Sequence, residues 1–177
     1  AGRIGSVVAK RAKAVFDMNV RYCGHRRNEE FESETGGGYC EQDELLREAD
    51  VITLHVPLTD ETRHMIAEEQ FGMMKDTAIL INTSRGSIVK EGALADALES
   101  KKIWGAALDV YEEEDPKSEL DTRDWWTLTR QSNVILTPHI ASATIEAREE
   151  MTRMAVDSIK AALAGEEPSN LVKGYKD

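Results

Sequence analysis

At 177 residues and 41% apolar, the chain is long enough to bury one full core, so one domain with at most an appendage is expected. Thirty-three acidic against twenty-two basic side chains give a formal charge of -11, which argues against nucleic acid and anionic membranes as partners. No run approaches the roughly eighteen apolar residues of a membrane span, and Cys23 and Cys40 have neither metal-ligand nor redox spacing; a soluble, cytoplasmic chain without a metal site is expected.

Apolar residues at helical spacing predict a helix from Ile4 to Phe16, opened by Gly2 and Gly5. Glycines three apart at a helix mouth suit a phosphate-binding turn, although a dinucleotide fingerprint has a third glycine and a buried strand upstream. Asn19 to Cys23 reads as a short strand ended by Gly24. The polar stretch that follows, with Gly36 to Gly38, reads as loop, before a short helix over Gln42 to Ala49. The run "DVITLHVP" has no alternation and suits a strand buried on both faces. A helix around Glu68 to Met74, a strand in "TAILINTS", a helix over Gly92 to Ser100 and a strand in "IWGAALDV" come next. Tyr111 to Gln131 is acidic and reads as irregular, "NVILTP" as a last strand, and Met151, Met154, Ile159 and Leu163 mark a long amphipathic helix ended by Gly165. Alternating strands and helices predict an α/β fold with a parallel sheet covered on both faces.

Ligands of such sheets sit at the carboxyl ends of the strands, which selects "GHRR", "HVP", "SRG", "DV" and "PHIAS". Each is weak alone: Arg85 could be a surface arginine, His139 a loop histidine, Glu114 part of a solvated acidic run and Asp109 a turn cap. Together they supply a planar guanidinium that grips a carboxylate, a histidine that exchanges a proton, and a carboxylate that holds that histidine in its charged form. That set suits reduction of a 2-oxo acid.

The stretches "LHVPLTDETRHMI", "LINTSRGSIVKEGALADAL", "GAALDVYEEEDP" and "TPHIASAT" resemble the D-isomer-specific 2-hydroxyacid dehydrogenase family, over nearly the whole chain. The resemblance implies a Rossmann-type doubly wound sheet lacking its first strand, because the chain begins one residue inside the Gly-x-Gly-x-x-Gly pattern. It also implies a C-terminal helix that returns to a substrate domain outside this chain. Residues 1–142 are then the incomplete dinucleotide-binding domain and 143–177 the crossover helix and tail, a piece expected to be inactive by itself. The implied catalytic residues are Arg85, Glu114 and His139. Glu112 and Glu113 stand as neighbouring candidates, since the family has Glu-Pro where this chain has Glu114-Asp115-Pro116. Implied cofactor contacts are Gly2, Arg3, Ile4 and Gly5 at the pyrophosphate, Val56 and Pro57 in the groove, Thr83 and Ser84 near the nicotinamide ribose, Asp109 at the carboxamide, and Arg85, His139, Ala141 and Ser142. His55 and His64 have no role in the pattern. Trp125 and Trp126 either wall the site or pin an inserted loop, and pinning is favoured for paired tryptophans.

About twenty residues past the fingerprint, an NAD-binding chain presents an acid to the ribose 2′-hydroxyl. Here that interval reaches Gly24, followed by His25, Arg26 and Arg27, donors suited to a 2′-phosphate. NADP(H) is therefore the expected cofactor, with NAD(H) the alternative. The implied activity is that of a glyoxylate or hydroxypyruvate reductase acting on a small 2-oxo or 2-hydroxy acid, in a homodimer. A phosphite or other 2-hydroxyacid dehydrogenase, and a cofactor-sensing module without turnover, are the competing readings.

Overall fold

The computed structural model describes residues 2–114 and 123–171. The chain divides into two compact units, Ala1–Pro138 and His139–Asp177.

The first unit opens with α1 (Arg3–Phe16) and continues through β1 (Arg21–Tyr22), α2 (Glu29–Thr35), β2 (Gly38–Tyr39) and α3 (Gln42–Glu48). Then follow β3 (Val51–Leu54), α4 (Glu68–Met73), β4 (Ile79–Asn82), a 3-10 turn (Gly86–Ile88), α5 (Glu91–Glu99), β5 (Gly105–Leu108), α6 (Arg123–Arg130) and β6 (Val134–Leu136). The second unit holds α7 (Ile145–Leu163), capped by Thr144, whose hydroxyl accepts the Ala147 N–H at 3.2 Å. No residue of α7 is buried, and Gly165 follows it with φ +74°.

The described strands form two parallel sheets, β1-β2 and β3-β4-β5-β6, where one continuous sheet was expected; no described strand joins β1 to β3. Burial on both faces is approached only in β5: Ile52, Leu54, Leu80, Ala106 and Leu108 are buried with Leu94, Leu98 and Leu128 from the covering helices, whereas Val51 and Ile135 are exposed and Thr53, Ile79 and Ile81 half-buried. Strands β3 and β4 thus bury one face, and β6 buries no residue fully. Each fully buried leucine contributes about 1.5–3 kcal/mol. Strand β5 is built of small residues because its neighbour crowds it; a Cβ on Gly105 would lie 2.5 Å from the Asn133 carbonyl oxygen.

Three elements depart from the sequence expectation. The stretch from Glu29 to Thr35 is helical where a loop was expected. Asn28 accepts the Phe31 N–H at 3.0 Å as its cap, Phe31 is buried against the Tyr22 ring, and Gly36 ends the helix with φ +67°. Gly38 and Tyr39 pair with Arg21 and Tyr22, so the glycine run contains a strand. Helix α6 occupies part of the stretch expected to be irregular, anchored by the buried Leu128. Asp115 and Pro116 lie outside the described residues.

Candidate functional site

Register creates the site. Leu54 pairs with Asn82, Asn82 with Leu108 and Leu108 with Leu136, so four parallel strands end level and the residues that follow them share one edge. Open parallel sheets bind ligands there.

At the end of β3, His55 Nε2 lies 3.0 Å from Thr53 Oγ1, and burial pushes the imidazole below its ordinary range. Val56 and Pro57 follow, the first half-buried and the second exposed. The buried Thr62 hydroxyl donates to the Pro57 carbonyl at 2.6 Å and accepts the Thr59 N–H at 2.8 Å, which ties this loop back on itself.

The first turn of α1 lies beside the same strand end, where a Cβ on Gly5 would stand 3.4 Å from the His55 ring. Gly2 is the N-cap in extended conformation and offers no side-chain cap, and a Cβ there would meet nothing within 4 Å. A long helix with an open, uncapped start next to a strand edge suits a phosphate group. Gly2, Arg3, Ile4 and Gly5 therefore fit the pyrophosphate of a dinucleotide.

After β4, Thr83 is exposed and the Ser84 hydroxyl donates to the Val56 carbonyl, which links the first two strand-end loops. Arg85 is exposed, with one guanidinium nitrogen donating to the Ser84 carbonyl at 2.6 Å. Gly86 must follow it, because the backbone of Tyr111 and Glu112 passes through the space a Cβ would fill, 1.7 Å from the Tyr111 oxygen.

After β5, Asp109 is 3% exposed and its Oδ1 accepts the Thr137 hydroxyl at 2.5 Å. The Tyr111 hydroxyl donates to the Thr137 carbonyl at 2.8 Å; burial, reinforced by the charge of Asp109, pushes this phenol up. Glu114 is exposed, and its Oε1 accepts the Tyr111 N–H at 3.0 Å. Trp125 packs edge-on against Tyr111 with ring centroids 5.4 Å apart, which anchors α6 to the loop carrying Glu114. Trp126 lies under the Arg130 guanidinium, 5.2 Å from its ring.

His139, Ala141 and Ser142 belong to the second unit and are exposed, with His139 at φ +52°. Past β1, His25 and Arg26 are exposed. Arg27 is engaged: its Nε lies 2.8 and 3.0 Å from the two oxygens of Glu32, and a terminal nitrogen reaches Oε2 at 2.7 Å. That guanidinium, with the Tyr22 hydroxyl at 2.8 Å, holds the Glu32 carboxyl below the usual range. An acid therefore does stand near this strand end, brought there by α2. Two surface grooves, one along α7 beside Val156 and one beside Trp126, include no residue of the strand edge.

Asn82, Thr62, Thr137 and Glu32 support these loops and were not singled out from the sequence. Asn82 alone carries a local signal, a polar residue closing an apolar run.

A parallel sheet with a helix start and acidic, basic and hydroxyl groups gathered at its carboxyl edge defines a dinucleotide-binding domain of Rossmann-like architecture. The chain belongs to the D-isomer specific 2-hydroxyacid dehydrogenases, whose NAD binding domain matches residues 1–141. It is 48% identical over 173 residues to a glyoxylate reductase of Aeropyrum pernix, covering 97% of this chain and 49% of that protein. The crystal structure of D-lactate dehydrogenase with NAD+ from Lactobacillus jensenii superposes with a TM-score of 0.89 at 35% identity, covering 98% of this chain and 53% of that one. A glyoxylate reductase from Paecilomyes thermophila gives 0.87 at 36% identity, covering 99% and 51%. The chain thus spans about half the length of the relatives it matches. No described helix is long and apolar enough to cross a membrane.

Proposed function

We propose that the chain supplies the nucleotide-binding part of an oxidoreductase that moves a hydride between a nicotinamide dinucleotide and a small 2-oxo or 2-hydroxy acid, of glyoxylate or hydroxypyruvate size. The observation that carries this reading is the placement of Arg85, Asp109 and Glu114 after adjacent strands that end level. When bound, the reduced nicotinamide supplies the hydride. Arg85 grips the substrate carboxylate with its planar fork. His139 gives a proton to the carbonyl oxygen during reduction, and Glu114 orients its imidazole. Asp109 accepts from the nicotinamide carboxamide, its orientation held by Thr137. Val56, Pro57, Thr83, Ser84, Ala141 and Ser142 complete the cofactor groove.

The proposed cofactor is NADP(H) in preference to NAD(H), carried by His25 and Arg26, since Arg27 is already paired with Glu32. Residues 1–142 are proposed as the dinucleotide-binding domain and 143–177 as crossover helix and tail. A cytoplasmic homodimer belongs to the same reading, supported by the exposed Ile145, Met151, Ile159 and Leu163 of α7.

The test is oxidation of NADPH and NADH by the full-length protein with glyoxylate and with hydroxypyruvate. Turnover with a lower KM for NADPH is expected, and Arg85→Leu should raise the KM of the oxo acid about a hundredfold, the scale of a lost charge-assisted fork. Nucleotide binding without turnover of any 2-oxo acid would make the chain a sensing module instead.

A further inference from the structure

Three segments meet between Arg85 and Glu114. His64, in the loop after β3, has φ +54°, a left-handed conformation that a histidine keeps only where its surroundings impose it. Its N–H donates to the Ser87 carbonyl at 2.8 Å, in the turn just after Arg85. Its Nε2 is in hydrogen-bonding contact with Glu112 Oε1. The other oxygen of Glu112 accepts the Glu91 N–H at 3.2 Å, and the Glu112 N–H is returned to Glu91 Oε1. Both oxygens of one carboxylate are thereby used on two different elements, and two glutamates exchange backbone bonds across the gap between α5 and the loop after β5. Gly86 lets these backbones approach.

Each of these contacts ends within a few residues of Arg85 or Glu114. A half-exposed side-chain hydrogen bond contributes little stability, and an apolar pair would join the segments equally well. Directional bonds to both oxygens of Glu112 do something apolar contacts cannot, because they fix the orientation of the loop as well as its position. Glu112 is thereby committed to His64 and Glu91.

We propose that His64, Glu112 and Glu91 form a positioning clamp that sets the separation of Arg85 from Glu114, and so the pose of the 2-oxo acid. The inference deepens the proposed function and rests on it for its catalytic consequence. Small misplacement of a substrate-gripping group lowers reactivity steeply.

The test compares the full-length protein with His64→Ala, His64→Gln and Glu112→Gln, by crystal structure and by kinetics. In the structures, the distance between the Arg85 guanidinium and the Glu114 carboxylate should shift by about an ångström or more in His64→Ala. His64→Gln, which still offers an N–H donor to Glu112, should restore it. In kinetics, His64→Ala and Glu112→Gln should raise the KM of glyoxylate about tenfold while the NADH dissociation constant stays unchanged, and His64→Gln should recover most of the loss. An unchanged Arg85–Glu114 distance overturns the clamp whether or not the protein turns over a 2-oxo acid. Equal losses in nucleotide and oxo-acid binding would also overturn it, since they indicate general loosening. Absence of turnover in the unmodified protein defeats the proposed function alone, and the structural comparison then decides the clamp.

Discussion

Asn82 holds both ends of the turn that carries Arg85: its Nδ2 donates to the Arg85 carbonyl at 2.9 Å, and its Oδ1 accepts the Ser84 N–H at 3.0 Å. The side chain is 1% exposed and stands at the last position of β4. Water cannot readily replace it. Asn82→Ala should cost about 1–3 kcal/mol for the two lost bonds to this part-buried turn, where the Arg85 carbonyl keeps only the longer bond from the Ile88 N–H at 3.3 Å, measured by urea unfolding. The oxo-acid KM should rise in the same variant, since Arg85 loses its support. A loss below about 0.5 kcal/mol would mean that the turn holds its own shape.

Two glycines give opposite expectations. A Cβ on Gly86 would meet the Tyr111 oxygen at 1.7 Å, whereas one on Gly72 in α4 meets nothing within 4 Å. Gly86→Ala must push the loops after β4 and β5 apart and should destabilise by about 3 kcal/mol or more. Gly72→Ala restricts the unfolded chain without a clash and should stabilise by about 0.4–1 kcal/mol. Thermal unfolding of both variants checks the pair. Similar shifts for the two would contradict the close approach at Gly86.

The strand ends are legible in the sequence because the runs ending at Leu54, Asn82, Leu108 and Leu136 are continuous and apolar, a pattern that survives without tertiary information. Their level register makes neighbours of residues far apart in sequence. Helix α2 is not legible in the same way. Its seven residues hold a single large apolar side chain, Phe31, so no period appears, and the helix depends on the Asn28 cap and on Tyr22 from another element. Nor does counting along the chain reveal that Glu32 returns to Arg27, because that pairing follows from the helix. The division into two sheets is likewise a matter of long-range pairing.

Cofactor choice can be tested through the Arg27–Glu32 pair. In Glu32→Gln the guanidinium loses its charged partner while the amide oxygen can still accept the Tyr22 hydroxyl. A freed Arg27 should raise affinity for NADPH relative to NADH by up to about fivefold, the range of an exposed ion pair. Arg26→Ala should move the ratio the other way. Dissociation constants from nucleotide fluorescence titrations measure both. An unchanged ratio in the two variants would place the 2′ position of the ribose away from this loop.

Glu91 offers a pH test that needs no substrate. Burial pushes its carboxyl above the usual range; Glu112, Asp124 and Glu114 add negative charge around it, and the Glu112 N–H opposes the shift. A carboxyl whose folded pKa exceeds its unfolded one binds more protons in the folded state between those two values, so stability falls as pH rises through that window. The unfolded group titrates near about 4.3, so the loss begins there and is complete once pH passes the raised folded value. Glu91→Gln keeps a carbonyl oxygen for the Glu112 N–H but cannot ionise. Relative to the unmodified protein, this variant should therefore gain stability as pH rises from about 4 toward neutrality, in urea unfolding at matched ionic strength. Profiles that stay parallel across the range would show that ionised Glu91 is no worse accommodated in the fold than in water.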